Sequence, residues 1–204
     1  MELGNASDIV SAGCNIAMAV AAIYAAWNAR DWFSQKTHTK GFDKAEDILS
    51  SIDEYTLNTK KTVSETHSTF SLFEEIYQSR SVPNKRSQSE YNVKLLWHSN
   101  YKNSVQTLVE DLFRLERWAI KVSNPGDILN VTNELINMHI SAAHFYTCCD
   151  SCLYQLYNMG WSEFEQEFKL LKTNYNDYLS SLTKLEKAYD KFKTQRFEHF
   201  FKLQ

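Results

Sequence analysis

The chain has 204 residues, of which 43% are hydrophobic, 14% aromatic and 23% charged; these are globular proportions, which exclude a disordered chain. Five glycines and two prolines are too few for the many tight turns of a sandwich, barrel or propeller, or for a glycine-rich phosphate loop. A formal net charge of −3 gives no reason to expect a nucleic-acid partner.

Residues 1–40 predict a membrane anchor with a juxtamembrane linker. Residues 9–27 carry no charged side chain, and a stretch of this length matches a membrane-spanning helix. Lysine and arginine follow this stretch but do not precede it, so the positive-inside rule predicts a single-pass protein with its N-terminus outside and the remaining residues in the cytoplasm. The alternative is a soluble cytoplasmic protein whose alanine-rich helix packs on the rest of the chain or in another subunit's groove.

Small residues recur every four positions in this stretch. Such a ridge lets two helix backbones approach closely, and an asparagine beside it can hydrogen-bond across the pair. We therefore expect the helix to self-associate and the protein to be a homo-oligomer. The predicted association ridge consists of Gly13, Asn15, Ala17, Ala21 and Ala25.

Residues 41–204 predict long helices. The intervals between the glycine and proline boundaries lack both residues, which cost most inside helices. Apolar residues in each interval repeat on average every 3.5 positions, roughly the seam of a coiled coil. The predicted helices cover residues 42–79, 88–123, 125–159 and 162–203.

Short connections make consecutive helices antiparallel. The predicted fold is therefore all-α, with the N-terminal transmembrane helix followed by an elongated up-down-up-down four-helix bundle. The competing arrangement is a pair of hairpins that completes its core by dimerising.

The C-terminus combines aromatic rings with basic side chains, a combination that suits a headgroup layer rich in anionic lipid. In the predicted bundle this terminus and the turn at 123–126 both lie near the bilayer. The alternative is a helix end that closes the bundle. The predicted membrane-interface residues are Tyr24, Trp27, Arg196, Phe197, Phe200, Phe201 and Lys202.

The opposite tip carries basic residues, while glutamates begin the last helix, where Ser162 and Glu165 predict a capping box. One interpretation is that the opposite charges pair within the chain; the other is that an acidic protein partner docks there. The residues of this distal basic patch are Arg80, Lys85, Arg86 and Lys94.

His144, Cys148 and Cys152 are spaced four residues apart, and thiolate with imidazole suits zinc. A structural zinc site needs four ligands, however, and Cys149 and Cys152 fall on the apolar seam, which favours core cysteines. The Glu-x-x-His motif of a di-iron bundle and the nucleophile elbow of a hydrolase are both absent from the sequence. The sequence thus predicts neither a catalytic site nor a metal or cofactor.

These features predict a noncatalytic, membrane-anchored scaffold or regulatory module that acts by self-association and by binding a cytoplasmic protein partner. The alternative is a membrane-perturbing or pore-forming effector, of the toxin or defence type, built by oligomerisation of the N-terminal helix. Ser11, Gly13 and Asn15 on one moderately apolar helix make that alternative conceivable.

Overall fold

The structure is a computed structural model that describes residues 6–81 and 89–203. Helices dominate it, which confirms the all-α class. The long helices are α1 (Ala6–Lys61), α2 (Val63–Ser79), α3 (Ser89–Arg114), α4 (Pro125–Asn158) and α5 (Trp161–Phe192). The shorter elements are a 3-10 turn (Leu115–Trp118), strand β1 (Ile120–Val122), helix α6 (Phe197–Phe200) and strand β2 (Phe201–Leu203).

The helix boundary predicted at Gly41 is wrong, because α1 is a single helix of 56 residues that continues through this glycine. Gly41 is buried, and a Cβ there would lie 2.5 Å from the Trp118 carbonyl oxygen and 2.7 Å from Ile120 Cγ1. This glycine therefore allows the 3-10 turn and β1 to approach α1 closely. It does not end the helix.

The break comes instead at Thr62, so the predicted helix over 42–79 is the end of α1 followed by α2. The backbone N–H and the side-chain hydroxyl of Thr62 both donate to the Thr59 carbonyl, at 3.1 and 2.8 Å. These bonds to the residue three positions earlier replace the regular helical bond, which tightens the chain locally.

The predicted helices over 88–123 and 162–203 both end early, at Arg114 and Phe192. Ala119 has a left-handed backbone (φ 58°) that turns the chain out of the 3-10 turn into β1. β1 then pairs antiparallel with β2, with Ile120 opposite Leu203 and Val122 opposite Phe201. Three-residue strands are too short to show the alternation by which strands are recognised in a sequence.

The other long helices pack around α4, whose buried face is mostly apolar. Contacting pairs show that α3 and α5 both run antiparallel to α4, whereas the end of α1 and α2 run parallel to it. The pairs are His98–His139 and Tyr91–Tyr146 for α3, Ser181–Ser141 and Asn174–Cys148 for α5, and Thr59–His139 and Thr66–Tyr146 for α1 and α2. We call this packed part of the chain, residues 41–81 and 89–203, the helical body.

At one end of the body, contacts join three segments of the chain. We call this end the base: residues 41–42, 118–127 and 196–203. Pro125 begins α4, where the predicted helix over 125–159 also begins, and the Asn124 side chain does not cap that helix. It donates to the His199 carbonyl at 2.6 Å. Asp127 accepts hydrogen bonds from Lys191 and His199, and these bonds lower the pKa of its carboxyl. The turn at 123–126 and the C-terminus thus lie where the N-terminal half of α1 leaves the body.

The close approach at Gly41 generates a prediction. Gly41→Ala should lower the free energy of unfolding by about 1–3 kcal/mol, because the added methyl group meets backbone that cannot move aside cheaply. Gly126→Ala is the matched control, since a Cβ there meets no atom within 4 Å. Urea unfolding of both variants measures the difference, and equal stability of the two would contradict this role of Gly41.

Candidate functional site

The N-terminal half of α1 has an apolar surface that the rest of the chain leaves uncovered. Its apolar segment, Val10–Trp32, has 23 residues and a mean hydropathy of 1.5, and it is the one helix stretch among the described residues that is long and apolar enough to cross a membrane. None of the segment is buried within the chain. Packing of this helix on its own helical body, one of the alternatives from the sequence, is therefore not what the structure shows.

The whole predicted association ridge, from Gly13 to Ala25, is exposed on this segment. A Cβ at Gly13 would meet no atom within 4 Å. Tyr24 and Trp27 are exposed by 69% and 66%, so these predicted interface residues also face outward. The surface is open both to lipid and to a second helix.

Two predicted membrane-interface residues lie instead in the core: Phe200 and Phe201 are 1% and 3% exposed. The Phe200 ring packs on Phe192 with centroids 5.2 Å apart, and burial of one such ring contributes about 1.5–3 kcal/mol. These two rings close the body and are not available to lipid. Phe197 is half-buried against Phe42, while Arg196 and Lys202 are exposed.

The two members of the distal basic patch that the structure describes pair with carboxylates of the same chain. Arg80 lies 3.3 Å from Glu165, and Lys94, whose side chain is only 15% exposed, lies 2.8 Å from Glu65. Lys85 and Arg86 lie outside the described residues.

The capping box predicted from Ser162 and Glu165 does not form. The N-cap of α5 is Gly160, without a side-chain hydrogen bond. The Glu165 carboxylate accepts instead a hydrogen bond from the Trp161 indole N–H at 2.8 Å, and it also lies 3.3 Å from the Arg80 guanidinium.

The cysteine cluster is part of the core. Cys149 and Cys152 are fully buried, as predicted, and Cys148 nearly so, whereas His144 is exposed. Burial raises the pKa of the Cys148 thiol to about 11 and those of Cys149 and Cys152 well above their usual range, so all three are neutral thiols at pH 7. In the part of the chain that the structure describes, no three His, Cys, Asp or Glu side chains are grouped to hold a metal ion.

A buried pair of histidines was missed by the sequence analysis. His98 of α3 and His139 of α4 are 2% and 1% exposed, and their Nδ1 atoms lie 2.9 Å apart. His139 Nε2 also lies 3.2 Å from the hydroxyl of Thr59. In a neutral pair one Nδ1 donates its proton to the other, which a doubly protonated pair cannot do.

Burial lowers the pKa of His98 to about 4 and that of His139 to about 3. The nearby Lys94 charge lowers the pKa of His98 further, and His98 does the same for His139. Both imidazoles are therefore neutral at pH 7, and a proton on either would put an unbalanced charge in the core.

Cavities flank this pair on both sides of α3. One of about 550 Å³ lies between α3 and α4, and one of about 670 Å³ lies between α3 and the junction of α1 with α2. His98 lines both, and Trp97, Tyr101 and Tyr146 give the larger one aromatic walls. Volumes of this size accommodate small molecules, but the chemistry of the walls does not select a ligand class.

The signal that could have revealed His98 is a repeat of seven. Counting back from the buried Leu112 and Val105 of α3 leads to His98 and then to Tyr91, all of which are buried. Apolar residues alone, followed back from Val105 in steps of four, lead instead through Tyr101 and Trp97 to Val93, which is 68% exposed. A pattern of apolar residues therefore passes over His98, because histidine is polar although here it is buried.

Acid should destabilise the protein through this pair. The folded-state pKa values lie below the usual 6.5, so as pH falls below 6.5 the unfolded chain gains two protons that the folded chain does not take up until about pH 4 and 3. We expect the contribution of the pair to the free energy of unfolding to fall by about 4 kcal/mol between pH 7.5 and pH 5. His98→Gln should remove about half of this loss, as measured by urea unfolding at the two pH values.

The matched control is His144→Gln, which changes an exposed histidine of α4. It should leave the acid sensitivity as it is in the unmodified chain. If His98→Gln still lost as much free energy of unfolding between pH 7.5 and pH 5 as the unmodified chain, the buried pair would not be the source of the acid sensitivity.

Comparison with known proteins does not assign the chain to a family. No family model matches it, and neither a curated protein nor a solved structure gives a significant match. Its function has to be inferred from its own side chains, above all from the exposed apolar segment.

Proposed function

We propose that this chain is a noncatalytic, single-pass membrane protein that acts by self-association and by binding a cytoplasmic protein partner. The observation that carries the proposal is the apolar segment, none of which is buried within the chain. A continuous apolar surface of this kind is unstable in water and marks a membrane or an association interface. At 1.5 Å per residue its 23 residues extend for about 34 Å, and a bilayer's hydrocarbon core is about 30 Å thick.

The body is proposed to be a cytoplasmic up-down-up-down four-helix bundle. The antiparallel pairing of α3 and α5 with α4, and the parallel course of α1 and α2 with α4, support this arrangement. The orientation rests on the charges at the two ends of the segment: Arg30 lies near its C-terminal end and Lys36 and Lys40 follow it, whereas Glu2 and Asp8 precede it.

Maleimide labelling of one native cysteine, Cys14, tests whether the apolar segment is inserted in a membrane. Cys14 lies in the exposed apolar segment, whereas the other three thiols are buried in the body. In isolated membranes a water-soluble maleimide should leave Cys14 unlabelled until detergent is added, because lipid excludes the reagent. Ser50→Cys, an exposed position of the body, is the control and should label once the cytoplasmic face is accessible.

Rapid labelling of Cys14 in intact membranes, or recovery of the full chain in the soluble fraction, would contradict the proposed anchor. Labelling of Ser50→Cys from the outside of intact cells would instead overturn only the orientation.

Self-association is proposed to use the exposed ridge, where small side chains let two backbones approach closely. Gly13→Leu or Ala17→Leu should reduce the signal of a transmembrane helix-pairing reporter several-fold. Ala26→Leu is the matched control, because it adds the same side chain on the face opposite Gly13 and Ala17, about three turns from Asn15, and should leave the signal unchanged. Equal signals from all variants would remove the ridge from the proposal.

The second candidate function is a pore-forming effector of the toxin or defence type. Ser11, Gly13 and Asn15 favour it, because they place small and polar groups on the exposed apolar segment, where several copies could line a wet path. A membrane-potential dye separates the two functions: depolarisation of cells that express the full chain favours the effector, and an unchanged potential favours the scaffold.

A further inference from the structure

A row of lysines follows the apolar segment on α1. Lys36 comes four residues after Trp32 and Lys40 four residues after Lys36, so the three side chains lie along one face of the helix. The Lys36 ammonium lies 4.7 Å from the centre of the Trp32 ring, and the Lys40 ammonium lies 5.8 Å from that of Trp118. Both lysines are exposed. Trp32 thus places Lys36 where the apolar segment ends, whereas Lys40 shares the Trp118 ring with Lys44, whose ammonium also lies 5.8 Å from the ring centre.

Neither ammonium group is neutralised by a neighbour. Among the side chains that the structure describes, no carboxylate oxygen lies within 4.0 Å of the Lys36 or Lys40 ammonium. Asp31 adjoins Arg30, so these two charges offset each other, and Asp43 lies almost one turn farther from the apolar segment than Lys40. Lys36 and Lys40 therefore follow the segment without an ion pair to any carboxylate that the structure describes.

The helical rise sets their depth. If the hydrocarbon core ends at Trp32, Lys36 lies about 6 Å, Lys40 about 12 Å and Lys44 about 18 Å farther along the axis. A headgroup layer is about 5–7 Å thick, and the surface potential of anionic lipid decays over about 8 Å at physiological salt. Lys36 therefore reaches the phosphates, Lys40 lies within their field, and Lys44 lies beyond most of it.

We propose that Lys36 binds the phosphate groups of anionic phospholipids in the leaflet that faces the helical body, and that the charge of Lys40 strengthens this attraction. This inference rests on the proposed insertion of the apolar segment into a bilayer. An ammonium group offers three N–H donors and a full charge to the phosphate oxygens. A free phosphate ion presents the same oxygens, but it is not held at the depth at which the helix places these lysines.

The test is quenching of the native tryptophans by brominated lipid, because Trp27 and Trp32 lie in the segment. The full chain is reconstituted in phosphatidylcholine vesicles in which either brominated phosphatidylcholine or brominated phosphatidylglycerol is present at the same mole fraction. Brominated phosphatidylglycerol should quench more strongly. Lys36→Gln should lower this preference about five-fold, the effect of one lysine at the surface, and Lys40→Gln should lower it by less.

Lys44→Gln and Lys169→Gln, an exposed lysine of α5, are the matched controls and should leave the preference unchanged. Quenching by brominated phosphatidylcholine should be the same in every variant, which shows that each one folds and inserts. Inorganic phosphate, added at constant ionic strength, should not compete.

Equal quenching by the two brominated lipids, or an unchanged preference in the Lys36→Gln, Lys40→Gln double variant, would overturn this inference and leave the membrane anchor standing. Loss of the preference in inorganic phosphate would also overturn it, because the site would then bind free anions. Absence of quenching by either lipid would overturn the proposed function itself.

Discussion

The constraint on which this molecule depends is that one helix, α1, must satisfy two environments. Its C-terminal part buries Ala45, Ile48 and Ile52 in the core of the body. Its N-terminal part is apolar without a buried face. Because the helix is continuous through Gly41, whatever covers the apolar segment also fixes the direction in which the body extends from it. A flexible linker at residue 41 would have separated the two parts.

The base depends on that continuity. Gly41 lets the 3-10 turn and β1 approach α1, and β1 in turn pairs with the C-terminal strand. Phe200 and Phe201 then complete the core, and Asn124 and Asp127 hold the C-terminal segment by hydrogen bonds. Aromatic rings that resemble a lipid-binding tail in the sequence are used for packing, while the basic side chains beside them remain exposed.

Buried polar contacts between helices in the middle of the body constrain how these helices pair. Thr59 contacts His139, which contacts His98, and Thr66 bonds to Tyr146. Each contact joins two helices, so sliding one helix along another would leave a buried polar group without a partner, at a cost of about 1–3 kcal/mol for each group. The cavities on both sides of His98 show that α3 does not pack closely against its neighbours at this level.

The sequence by itself determined the helical class, the long intervals without glycine or proline, the apolar N-terminal segment and the burial of Cys149 and Cys152. These features depend on local composition and on the helical period, which neighbouring residues carry within one stretch of chain. Tertiary structure alone decided the course of the helix through Gly41, the pairing of β1 with β2, the burial of Phe200 and the meeting of His98 with His139. The close approach at Gly41, the strand pairing and the histidine contact each join residues at least 40 positions apart, and the periodicity of one segment carries no record of its partner.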